Sequence, residues 1–63
     1  MKWVGLTEEE ISLLHEDGEC KVEEIGAVLL RSQLPNFEKV VSGTMEDVVY
    51  LAGRTYKIGV KDV

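Results

Sequence analysis

Polar and apolar residues change period several times along this chain, and each change marks an expected element. The stretch "LTEEEISLL", residues 6–14, is helical in pattern. Thr7 and Glu10 have the spacing of a capping box, in which each side chain satisfies an otherwise orphan backbone N–H, and Leu6 and Ile11 are spaced as a hydrophobic staple. Three glutamates in the first turn suit the positive end of the helix dipole. The pattern predicts a helix over residues 8–16 that stops at Gly18. Ile11 and Leu14 share its apolar face, flanked by Leu13 and His15, while Ser12 and Glu16 face water. The preceding "KWV" predicts a short strand.

The segment "CKVEEIGAVLLRS" admits two readings. Val22, Ile25 and Leu29 fit a helical spacing, whereas the β-branched residues and the continuous "AVLL" fit a buried strand. Gly26 costs about 1 kcal/mol relative to alanine inside a helix and marks a bulge or bend in a strand, so a bent strand is the expectation. "LPN" is turn chemistry. In "FEKVVSG", Phe37, Lys39 and Val41 alternate with Glu38, Val40 and Ser42, which predicts another strand ending at Gly43.

"VVYLAGRTYKIGV", residues 48–60, reads as two strands about Ala52-Gly53. A two-residue turn pairs Leu51 with Arg54, Val49 with Tyr56 and Asp47 with Ile58. It places Val49, Leu51, Tyr56, Ile58 and Val60 on one face and Val48, Tyr50, Thr55 and Lys57 on the other. Such a turn asks Ala52 for positive φ, so a three-residue turn with Gly53 in the left-handed position is its rival. Together these elements predict an α+β fold, a single small domain over residues 1–63, with the N-terminal helix packed on a small antiparallel β-meander or partly open barrel.

A chain of 63 residues buries only about 60% of the surface it exposes when unfolded. Its stability is then roughly 3–5 kcal/mol without staples, which makes a homodimer physically sensible. With 44% hydrophobic and 30% charged residues the composition suits a folded domain rather than a disordered one. A lone cysteine, Cys20, permits no intrachain disulfide and points to a reducing, cytoplasmic setting. Neither a signal peptide nor an apolar run of membrane-spanning length is present in the sequence, so no membrane contact is expected.

The net charge of −5 is unevenly spread. Residues 1–24 hold eight acidic residues against two lysines, a net of −6, and residues 25–63 come to +1. Duplex binding needs several Lys or Arg set against phosphates, so nucleic acid is not the expected partner.

Candidate chemistry is sparse. His15 and Cys20 are single representatives of their kind, and the short chain supplies neither an oxyanion hole nor further zinc donors to go with them. The carboxylates of "TEEE" and "HEDGE" read as a cap and a solvated face, and the six glycines form no phosphate loop. No enzyme activity, catalytic residue, cofactor or metal is therefore expected. What remains is binding. Trp3, Tyr50, Arg54, Tyr56 and Lys57 are candidate partner-binding residues, the aromatics and Arg54 being types enriched at interface centres. Glu8, Glu9 and Glu10 form a candidate acidic steering face.

Two resemblances bear on this. If "KVEEIGAVLL" and "LPNFEKVVSG" were both helices, the order helix, helix, helix, hairpin would resemble a winged helix-turn-helix domain with "YLAGRTYK" at the wing tip, which implies a nucleic-acid-binding regulator. Against it stand the acidic first helix, Pro35 and Gly43 around β-branched residues, and Lys39 as the sole base of a recognition helix. In style, short and acidic with a capped helix leading into small strands, the chain is similar to many small proteins of bacteriophages and mobile elements. That similarity places no residue. It implies a protein-binding accessory or regulatory module, a modulator or inhibitor of a host enzyme or defence system acting as a compact homodimer.

Overall fold

The computed structural model describes residues 1–61. Its order is β1 (Lys2–Leu6), α1 (Glu8–Asp17), β2 (Glu19–Val22), β3 (Ala27–Leu30), a 3-10 turn (Arg31–Gln33), α2 (Phe37–Val41), β4 (Asp47–Leu51) and β5 (Arg54–Val60). The fold is α+β.

The local signals at the N-terminus act as their chemistry requires. Glu10 N donates to Thr7 Oγ1 at 3.2 Å and Thr7 N donates to Glu10 Oε1 at 2.9 Å, closing the capping box. The helix then runs to Asp17, with Gly18 as its left-handed cap. Leu14 is fully buried and Ile11 packs against the core.

β5 is the centre of a three-stranded sheet of order β1-β5-β4. β4 and β5 form the expected hairpin in the two-residue register, Leu51 opposite Arg54, Val49 opposite Tyr56 and Asp47 opposite Ile58. Ala52 and Gly53 both take positive φ, 50° and 79°, so the turn is of the type I′ kind and the three-residue rival does not form. The left-handed region costs a residue with a Cβ about 1–2 kcal/mol. Asparagine tolerates that region without glycine's entropic cost, so Ala52→Asn is expected to raise stability by about 0.5–1 kcal/mol. A thermal melt that leaves the midpoint unchanged or lowers it would show that the turn is not strained.

The sheet is mixed rather than wholly antiparallel. β1 pairs with β5 in parallel, Val4 opposite Ile58 and Leu6 opposite Val60, and Lys61 N extends the ladder to Leu6 O at 3.0 Å. β2 and β3 form a separate two-stranded antiparallel sheet, so there is no closed barrel.

Two further expectations are corrected. Residues 19–30 are not one bent strand but a hairpin, because Gly26, at φ 62°, closes a turn in which its N–H donates to Val22 O at 2.8 Å. This sends Cys20, Val22 and Leu29 inward and leaves Glu23 and Glu24 in water. Residues 37–41 are helix, not strand. Alternation would bury either Lys39 or Glu38 along with the apolar residues, whereas helical spacing buries Phe37 and Val40 and leaves both charges in solvent. With residues 19–30 in a hairpin, the helix order of a winged helix-turn-helix is absent.

One core holds all of this together. Val4, Leu6, Val49, Leu51, Tyr56 and Ile58 project from one face of the three-stranded sheet into a cluster with Leu14, Cys20, Val22, Leu29, Leu34, Phe37 and Val40. Every other element packs on that inner face. The opposite face carries Trp3, Val48, Tyr50, Thr55 and Lys57, all exposed.

Candidate binding face

The outer face is built by strand alternation and register. Because Val4 and Leu6 turn inward, Trp3 and Gly5 turn outward, and the parallel pairing sets Trp3 opposite Lys57 and Gly5 opposite Gly59. Val48 lies on the far side of Lys57, and Tyr50 lies opposite Thr55. A row Trp3, Lys57, Val48 thus crosses all three strands, with Tyr50 beside it.

Trp3 is held in place from two directions. A Cβ at Gly5 would stand 2.7 Å from its Cη2 atom, and one at Gly59 would stand 3.1 Å from Cζ2 and Nε1. The indole therefore lies down over the glycine pair, where no side chain lifts it off the sheet. Its Nε1 donates to Glu46 Oε2 at the rim. Trp3 keeps 45% of its accessible surface, Val48 keeps 54% and Tyr50 keeps 69%. An apolar surface with a lysine at its centre, uncovered by any other element among the described residues, results.

The sequence-derived candidates divide on this geometry. Trp3, Tyr50 and Lys57 come together on the outer face. Arg54 is exposed at the turn end of the hairpin, opposite Leu51. Tyr56 does not join them: it points inward and is 7% exposed, a core residue. Glu8 and Glu9 are exposed at the start of α1, but Glu10 is 7% exposed and structural. Besides its cap bond, its Oε2 accepts from Glu23 N at 3.2 Å, fastening the β2–β3 turn to the helix start. The steering face thus reduces to Glu8 and Glu9. Val48 takes the outer-face position that the hairpin alternation gives it. One contributor is unmarked in the sequence: Glu46 meets Trp3 only through the fold.

The groups with catalytic potential are engaged elsewhere. His15 packs edge-on against Phe37 with ring centroids 4.8 Å apart, and the Arg31 guanidinium lies 6.0 Å from the same ring. Burial, and then the charge of Glu10, push the Cys20 thiol above the ordinary range, the opposite of the shift that activates a cysteine nucleophile. Among the described residues, no group of three or more His, Cys, Asp and Glu is placed to hold a metal ion. No described helix is long and apolar enough to cross a membrane.

Compared with protein-family models, curated proteins and solved structures, the chain matches none.

Proposed function

We propose that this chain is a non-enzymatic protein-binding module, an accessory or regulatory subunit in the cytoplasm, that docks its partner on the outer face of the three-stranded sheet. The observation that carries this reading is the seating of Trp3: an exposed indole laid over Gly5 and Gly59 and tied to Glu46 beside Lys57, Val48 and Tyr50. A side chain already held in one place loses little rotamer freedom on binding, and tryptophan and tyrosine dominate the energetics of interface centres. Glu8 and Glu9 act at longer range, steering the encounter. Modulation of a host enzyme as the role rests on the chain's similarity in style to small phage proteins.

The test is affinity capture from the native host, followed by titration of the recovered protein. Trp3→Ala and Tyr50→Ala are each expected to weaken binding by about 10-fold or more, and Glu8→Lys with Glu9→Lys to slow association in a salt-dependent manner. Folded variants that bind like wild type would reject the face. Single-stranded DNA at low salt is the counter-test, since bases could stack on the same aromatics. Micromolar affinity that falls steeply with salt would reassign the face to nucleic acid.

A further inference from the structure

The sheet ends on one side at β4, and that edge is self-complementary. A two-residue turn makes Leu51 and Arg54 a hydrogen-bonded pair, and alternation puts Val49 with Tyr56 and Asp47 with Ile58 in the same class. Val48 and Tyr50 are the intervening residues, so their N–H and C=O groups point away from β5. Among the described residues neither makes a backbone hydrogen bond to another segment. β3 lies near β4 but belongs to the other sheet. The edge "DVVYL" has no proline or lysine to deter pairing.

We infer that a second copy of this chain pairs antiparallel with β4 about a two-fold axis at Val49. In that register Val48 stands opposite Tyr50 of the second copy and Tyr50 opposite its Val48. Each outward donor of these residues then meets an outward acceptor, as an isologous contact requires. The side chains agree with the backbone, for β-branched and aromatic residues make favourable cross-strand pairs. Charge agrees as well. The chain's net −5 opposes self-association in general, but the acidic first turn of α1 is on another element and Asp47 is buried against Asn36. Lys57 is the next neighbour of Val48, and the Glu46 carboxylate is turned away from the edge, across β5 to Trp3. The pairing joins two three-stranded sheets into one. It needs only the strand edge and is independent of what docks on the outer face.

A strand of five residues covers far less than the roughly 800 Å² per partner of a stable complex, so the dimer dissociates in the range of about 0.1–1 mM. Sedimentation equilibrium of the full chain from about 10 μM to about 2 mM should show the mass rise from monomer toward dimer. Amide exchange at the high end should slow at Val48 and Tyr50. Tyr50→Pro removes an outward donor without removing a bond to β5, and is expected to weaken the dimer at least 10-fold. Val48→Lys with Tyr50→Lys, both at exposed positions, keeps the backbone unchanged and sets like charges opposite one another; the same loss is expected. A monomer at every concentration, a dimer untouched by both variants, or protection confined to another segment would each overturn the assignment.

Discussion

Ile58→Ala is expected to leave this domain largely unfolded at physiological temperature. Ile58 is fully buried in the central strand, opposite Val4 on one side and Asp47 on the other. Truncating such a residue costs about 2–5 kcal/mol through lost transfer energy and the cavity left behind. A domain of this size holds about 3–5 kcal/mol in total, so one substitution consumes most of its stability. The control is Val48→Ala on the outer face of the same hairpin, which should shift stability by no more than about 0.5 kcal/mol. Urea unfolding followed by circular dichroism separates the two, and an Ile58→Ala midpoint close to wild type would contradict the central placement of β5.

The second large effect is expected at Asp47. This carboxylate is 5% exposed. Its Oδ2 accepts from Asn36 N at 3.1 Å and its Oδ1 from Asn36 Nδ2 at 3.0 Å, joining the start of β4 to the start of α2. Asp47→Ala leaves both donors without their acceptor, a cost of about 2–3 kcal/mol. Asp47→Asn should cost less, because the amide oxygen still accepts one of the two bonds. Asn36→Ala should also cost less, since its backbone N–H keeps Oδ2. Equal stabilities across this series in urea would show that the clamp contributes nothing. The clamp would further appear in the Asn36 backbone amide resonance, displaced in Asp47→Ala and nearer its original position in Asp47→Asn.

How much of this was legible in the sequence depended on the distance over which each feature is determined. The helix over residues 8–16 was readable because Thr7, Glu10 and Gly18 carry its boundaries locally. The hairpin over residues 48–60, its register and its two faces were readable because a two-residue turn and strict alternation fix them together. The short α2 was not, since its β-branched "KVV" favours strand by propensity and only the core that receives Phe37 and Val40 reverses the preference. Gly26 marks a break, but whether it bends one strand or joins two depends on Val22 meeting Ala27. The parallel partner of β1 had no local signal. The candidate face was legible to the same extent: Tyr50, Lys57 and Val48 follow from the hairpin, whereas the glycine floor under Trp3 and its bond to Glu46 arise from residues brought in from the other end of the chain.

That parallel pairing also governs the order in which the molecule can assemble. Among the described strands β1 is synthesised first, yet the one that satisfies it is β5, which emerges after the other four. The sheet's middle member is therefore missing until β5 has been made, and β1 and β4 wait as unpaired ribbons. Closing a loop that spans nearly the whole chain places the domain among slow folders for its length, and a nascent chain stalled before Arg54 holds α1 and the β2–β3 hairpin without the layer that would cover them.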